Sequence, residues 1–367
     1  YDLIDYFHID PAFGTDADFK ELVQAAHSMG MRVMIDGVFN HAGWKCSAFK
    51  DVISKGKASE YWDWFFRLRE PVTIPDHMED YPTYECFGYE RMMPKLATDH
   101  PTVQDYFCRV GVHWVKEYDI DGWRLDVASE VNDGFWRAFR SAVKAAKPDC
   151  ALIGEVWETA SHWLDGSMFD STMNYDFRRH CRRFFALQDI DAQDFNGRVT
   201  DMLMRYRRQI TYGQLNLLDS HDVSRFLSLC DKDINRMKLA VLFQMTFVGM
   251  PCVFYGDEKG MTGMLEEEYR RPMRWGSDGS EIQAFYRKAA HLRQQHSALR
   301  HGNFSMIFAQ CGGGVYHYTR KTSSEVIGVM MNRSSKSVQV SVPGEILWQE
   351  HMDCDILGAY GFVLYRK

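Results

Sequence analysis

The sequence predicts an α/β protein: a (β/α)8 barrel whose first two strands lie upstream of this chain, followed by a C-terminal antiparallel β domain. Three observations carry this. Six short runs, 32–40, 119–127, 150–157, 171–177, 214–221 and 252–258, are apolar almost throughout, as in parallel strands covered on both faces. Amphipathic helical stretches at 16–30, 101–117, 133–147, 191–211, 232–248 and 281–299 alternate with them, the signature of βα units. Five of the six runs end in a polar or charged group, namely Asp36 with Asn40, Asp126, Glu155, His221 and Glu258. The C-terminal rim is where a barrel of this kind builds its site. A doubly wound sheet would carry a glycine-rich phosphate turn after its first strand, and none is present.

Two regions break the alternation. Residues 41–100 form a long aromatic-rich connection, expected to be an inserted subdomain because loops of that length are usually functional. From 301 to 367 the runs become short and alternating, "GVYHYTR", "EVIGVMMN", "SVQVSV" and "GFVLYRK", which predicts an all-β domain. The expected organisation is therefore the start of the barrel at 1–40, the insertion at 41–100, the remaining barrel at 101–300, and the β domain at 301–367.

Composition narrows the function. The net charge of −7 argues against a nucleic-acid surface, and no apolar run is long enough to span a membrane. Nine scattered cysteines without a CxxC pair favour reduced thiols and a cytoplasmic location over disulfides or a zinc site.

The chemistry centres on "DGWRLDV", residues 121–127. Alternate residues of a strand share a face, so Arg124 and Asp126 face the same way, and burying two charges is costly unless they are used. Asp126, Glu155 and Asp222 each end a different strand. Glycoside hydrolysis needs one carboxyl to protonate the leaving oxygen and one to attack or activate water, and a third can stabilise charge on the ring. Arg124 is expected to keep Asp126 ionised, and burial to raise Glu155 toward a general acid. His41 and His221 stand at strand ends, placed to bind hydroxyls. From the residues alone this is a barrel hydrolase acting on a polar substrate.

The quoted residues resemble a known family. "DGVFNH" (36–41), "GWRLDVASEV" (122–131), "GEVWE" (154–158) and "LLDSHD" (217–222) are similar, in order, to the four signatures of the α-amylase superfamily of retaining glycosidases. "MPKL" (93–96), "HWLDGSMFDSTMNY" (162–175) and "YGDEKGMTG" (255–263) resemble its neopullulanase, cyclomaltodextrinase and maltogenic amylase group. The resemblance implies Asp126 as nucleophile, Glu155 as acid/base and Asp222 as the third acid. It implies that Arg124 orients Asp126, that His41 and His221 hold hydroxyls at the cleavage point, and that Tyr1 stacks under the same sugar. Trp157 and Glu130 match positions on the leaving-group side, and Arg225 one on the donor side.

The implied reaction is double displacement on α-1,4 and also α-1,6 bonds of maltooligosaccharides, cyclodextrins, pullulan or starch. A transglycosylase, a sugar isomerase or an inactive binding subunit are the competing readings. No metal ligand is assigned within this chain, and calcium is the one cofactor the resemblance allows: Asn40 matches a calcium position of other α-amylases, while the subgroup's usual calcium site lies upstream of this chain. Homodimerisation through an N-terminal domain is a property of the subgroup. The chain departs from the pattern at Ala97, Ser129 and Glu158, and at Glu266 and Glu267, where an Asp-Pro pair is common.

Overall fold

The computed structural model describes residues 1–74, 80–276 and 280–367. Residues 75–79 of the long connection and 277–279 lie outside that description. The chain divides into two compact units, Tyr1–Thr172 and Met173–Lys367.

In the first unit, helix α1 (Asp16–Ser28) starts at a capping box in which Thr15 and Asp18 bond each other's backbone N–H. Strand β1 (Met34–Gly37) follows, then the insertion with helix α2 (Ser47–Lys55) and the hairpin β2 (Cys86–Phe87) and β3 (Glu90–Pro94). Helix α3 (Pro101–Tyr118) carries proline at its first position, where no N–H is missed. Strand β4 (Gly122–Leu125), helix α4 (Asp133–Ala146), strand β5 (Ala151–Gly154) and strand β6 (Ser171–Asn174) complete the βα alternation. β1 pairs parallel with β4, β4 with β5, and Ser171 and Thr172 of β6 with β5.

The register sets Asp36 opposite Arg124. Leu125 and Trp123 point the other way, buried to 0% and 2% exposure. Phe39 packs within 5.1 to 6.3 Å, ring centre to ring centre, of Phe107, Trp123, Phe135, Trp136 and Phe139 on α3, β4 and α4. This aromatic cluster forms the apolar backing of the strands and leaves their other face to charge. A cavity of about 1060 Å3 lies along β1, lined by Ile35, Val38, Phe39, Trp114 and Trp123 together with Tyr1 and Asp36.

The second unit continues β6, with Met173 and Asn174 parallel to β7 (Leu215–Leu217), which pairs in parallel with β8 (Met250–Cys252). Between these strands lie α5 (Tyr175–Cys181), α6 (Ala192–Arg205), α7 (Arg208–Gly213), α8 (Phe226–Leu229) and α9 (Ile234–Thr246). Then come α10 (Glu266–Tyr269), α11 (Glu281–Gln295) and α12 (Ser297–His301). The C-terminal sheet holds β9 (Asn303–Ala309), β10 (Val315–Lys321), β11 (Val326–Asn332), β12 (Val338–Gln339), β13 (Glu345–Asp353) and β14 (Ile356–Arg366). Its strands are antiparallel in the order β12-β14-β11-β10-β9, with β13 also on β14.

The expected strand at 171–177 stops at Asn174, whose side chain turns to cap α5 by accepting the Phe177 N–H. The expected helix at 191–211 breaks at Tyr206, which is extended. That at 281–299 breaks at His296, drawn aside to Glu325 at 2.6 Å. The last barrel strand lies at 250–252, earlier than the expected 252–258, so Glu258 falls in a helical turn. Strands β9 and β13 carry no clear alternation and were not expected.

At the N-terminal end of β4, Asp121 closes a clasp. Its carboxylate accepts from the Val33 N–H at 2.8 Å, contacts His27 Nε2 at 2.7 Å and accepts from Lys147 Nζ at 3.0 Å. Burial pushes this carboxyl up, but these three partners outweigh it and hold it down to about 2. A carboxyl depressed on folding contributes stability that is full above its unfolded value, near 3.9, and fades as pH falls toward 2. Asp121→Asn should therefore cost about 1–2 kcal/mol at pH 7 and flatten the acid decline, read from urea midpoints between pH 6 and pH 2. Identical pH profiles for the two proteins would contradict this.

Candidate active site

Arg124 is the centre of the first unit's site. Its Nη1 donates to both oxygens of Asp36, at 2.9 and 3.2 Å, and to Asp126 Oδ1 at 2.6 Å. Its Nη2 lies 2.6 Å from Glu155 Oε1. One guanidinium thus bridges three carboxylates from three adjacent parallel strands. The guanidinium's donors lie in one fixed plane, so the bridge sets the orientation of the carboxylates as well as neutralising charge.

Asp126 is 6% exposed and Glu155 4%. The residue between Asp126 and the following helical turn, Val127, has φ of +43°, a left-handed conformation that a β-branched residue rarely takes. That turn aims the Val127 N–H at Glu155 Oε2, 3.1 Å away. The Ala128 N–H reaches the Glu155 carbonyl at 3.2 Å. Backbone strain here positions the acid, as it commonly does at working sites.

Arg124 draws the Asp126 carboxyl down, the direction expected from sequence, but burial outweighs it. Burial pushes the Asp126 carboxyl up to about 7, with Glu155 and Asp36 adding to the rise against Arg124.

His41 is 1% exposed and stacks on Phe87 at 4.9 Å with an interplanar angle of 14°. Burial lowers its pKa to about 4, so the ring is neutral. Among the described residues its Nε2 is buried without a hydrogen-bond partner. Tyr1 lies half-exposed and donates its hydroxyl to Asp36 Oδ2 at 3.0 Å. Close approach of the 1–3 segment to Gly43 keeps it there: a Cβ on Gly43 would come within 2.4 Å of the Asp2 carbonyl oxygen. Glu130 is held by Lys95 Nζ at 2.7 Å, and Trp157 and Glu158 are exposed.

Asn40 does not suit calcium in this chain. Its Oδ1 already accepts from Lys95 Nζ at 2.8 Å, and that ammonium would repel a divalent ion. Among the described residues no cluster of three or more His, Cys, Asp or Glu is arranged to hold a metal.

In the second unit, His221 Nε2 lies 3.1 Å from Asp222 Oδ2, and Arg270 Nη2 donates to Asp222 Oδ1 at 3.0 Å. Arg225, expected on the donor side, is fully buried. It bonds Asp257 at 2.9 Å and the carbonyls of Tyr255 and Tyr269, with its guanidinium 4.1 Å over Phe254. Its Nη atoms are engaged by these groups and the side chain is closed from solvent, while Nε is buried without a partner among the described residues.

Residues 1–294 match the model of the α-amylase catalytic domain. The chain belongs to the α-amylase family. Its fold is accordingly the (β/α)8 barrel of that family with a C-terminal antiparallel sheet. The chain is similar to a cyclomaltodextrinase of Geobacillus thermopakistaniensis, 41% identical, over 100% of this chain and 64% of that one. It is likewise similar to neopullulanase 2 of Thermoactinomyces vulgaris, 41% identical, over 96% and 60% respectively. A solved cyclomaltodextrinase structure superposes with a TM-score of 0.90 at 40% identity, covering 100% of this chain and 64% of that chain. The chain thus spans about two thirds or less of the length of these α-amylase family relatives.

Of the site residues that sequence alone missed, Lys95 lies inside a quoted motif, whereas Phe87 and Arg270 sit in connections with no periodic signal.

The Asp126 carboxyl, followed by carbon-13 NMR, should titrate near 7. In Asp36→Asn, with one anion fewer on Arg124, it should titrate about one unit lower. An Asp126 carboxyl titrating near 4 in the unsubstituted protein would refute this description.

Proposed function

We propose that the protein is a retaining α-glucan hydrolase of the neopullulanase and cyclomaltodextrinase kind, acting on α-1,4 and α-1,6 bonds of cyclodextrins, pullulan and maltooligosaccharides. The observation that carries this is the single guanidinium joining Asp126 and Glu155 at the ends of neighbouring strands. It keeps the two carboxyls close, and retaining chemistry operates at about 5–5.5 Å where inverting chemistry needs about 6.5–9.5 Å. The names of the similar proteins support the substrate class.

In this reading Asp126 attacks the anomeric carbon as Glu155 gives its proton to the departing oxygen, forming a covalent glycosyl-enzyme. Glu155 then takes a proton from water and the intermediate is hydrolysed with overall retention. The Val127 N–H holds Glu155 on line, and the neutral His41 offers Nε2 to a sugar hydroxyl. Tyr1 lies against Asp36, where its ring can back the same sugar. Asp222 and His221 take the roles of third acid and hydroxyl ligand on the signature they stand in. Glu130 and Trp157 take the leaving-group side. We assign no catalytic metal, and a homodimer is the assembly proposed for the whole protein. A cytoplasmic setting agrees with the nine unpaired cysteines. Among the described residues no helix is long and apolar enough to cross a membrane.

Asp126→Asn should lower kcat on β-cyclodextrin by about 10^4-fold or more, with the protein still folded. A 2-deoxy-2-fluoroglucosyl donor should leave one sugar adduct on Asp126, seen by peptide mass spectrometry. Turnover should fall as pH drops below about 7, because attack needs the ionised carboxylate. Longer oligosaccharides as the main product would favour the transglycosylase, and full activity of Asp126→Asn would sink the assignment.

A further inference from the structure

We propose that Arg270 is a positioning residue for Asp222, braced from one side by Glu266 and from the other by the buried Arg225. The inference rests on the reading of Asp222 as the third acid. Both oxygens of Asp222 are engaged: Oδ1 accepts from Arg270 Nη2 at 3.0 Å, and Oδ2 lies 3.1 Å from His221 Nε2. The Asp222 N–H is also held, by Ser220 Oγ at 3.2 Å. A carboxylate bonded at each oxygen has little freedom to rotate.

Arg270 does more than pair with a charge. Its Nε donates to the His221 carbonyl at 2.8 Å, so one rigid guanidinium grips the backbone of one residue and the side chain of the next. An exposed ion pair alone contributes little, but a planar fork with two acceptors sets geometry as well as charge. On its outer side Nη2 meets Glu266 Oε1 at 3.2 Å, one helical turn earlier on α10.

The arm that carries Arg270 is anchored. The Arg225 N–H bonds the Gly263 carbonyl at 2.9 Å, and Arg225 Nη2 bonds the carbonyl of Tyr269, the residue before Arg270, at 2.9 Å. Ser224 Oγ donates to the Met264 carbonyl at 3.0 Å, and Glu268 caps the arm by accepting the Met264 N–H at 2.7 Å. Arg225 therefore acts on the site through its neighbours: it sets the base of the arm, and Arg270 sets the tip on Asp222. The pair Glu266 and Glu267, unusual for the family, supplies the carboxylate that steadies Arg270.

The test compares the unsubstituted protein, Asp126→Asn, Arg270→Gln and Arg270→Lys on a linear maltooligosaccharide. Alongside kinetics, binding of deoxynojirimycin, a cationic mimic of the charged ring, is set against binding of maltose. Arg270→Gln should lose kcat by about 10- to 100-fold with KM changed less than about threefold. It should lose deoxynojirimycin affinity in parallel while keeping maltose affinity. Arg270→Lys should recover part of the loss, since it restores charge but cannot hold both acceptors. Unchanged kcat and unchanged deoxynojirimycin affinity in Arg270→Gln would overturn the proposal. So would a loss of kcat that tracks a loss of Tm with the deoxynojirimycin-to-maltose ratio intact. If the unsubstituted protein is as inactive as Asp126→Asn, the proposed function itself fails and takes this inference with it; a live protein with an indifferent Arg270 removes the inference alone.

Discussion

One buried guanidinium organises the first unit. Arg124 meets carboxylates from the C-terminal ends of β1, β4 and β5, and the buried pair Asp126 and Glu155 depends on it for a counter-charge. Burial, with Glu155 and Asp36 adding to it, outweighs Arg124 and raises Asp126 to about 7, and the Tyr1 hydroxyl donates to Asp36. Glu155 looks to the Val127 N–H for a second donor, and the left-handed backbone of Val127 is the cost of supplying it. The apolar side of these strands meets the opposite need. Phe39, Trp123 and the rings of α3 and α4 fill it, so all of the charge is forced onto one face.

The second unit uses its arginines differently. Arg225 is sealed from solvent between Phe254, Asp257 and two backbone carbonyls, where its value is architectural. Arg270, more than a third exposed, touches Asp222 and the His221 carbonyl. Both are arginines close in sequence to acidic residues, Arg225 to Asp222 and Arg270 to Glu266–Glu268. Only burial and the identity of their acceptors separate a structural role from a role at the site. Sequence position predicted a ligand contact for Arg225 and nothing for Arg270; in the fold Arg225 is buried and Arg270 meets Asp222.

Much of the site was legible because its residues stand at strand ends in short motifs. Period-two and period-3.6 patterns located the barrel strands and the helices between them, since both patterns are imposed by burial on one face. The breaks were not legible. Asn174, Tyr206 and His296 stop their elements through a cap, an extended backbone and a pull toward Glu325, none of which disturbs local hydrophobic periodicity. Phe87 and Lys95 escaped notice as partners of His41 and Asn40 because their work depends on a chain reversal through the long insertion. There the backbone of 94–96 runs back along 40–42, with the Ala42 N–H on the Pro94 carbonyl and the Leu96 N–H on the Asn40 carbonyl.

By itself the sequence determined which residue types stand near the strand ends, that Arg124 and Asp126 share a face, and that three acids follow separate strands, Asp222 five residues beyond its own. Those facts follow from local geometry, in which side chains alternate along a strand whatever surrounds it. Tertiary structure decided how much charge each acid feels, which arginine reaches an acid and which is sealed away, and which ring holds His41. Those depend on the number of neighbours brought within a few ångströms by chain segments distant in sequence. Electrostatic energy at such range turns on burial and distance, neither of which a linear pattern carries.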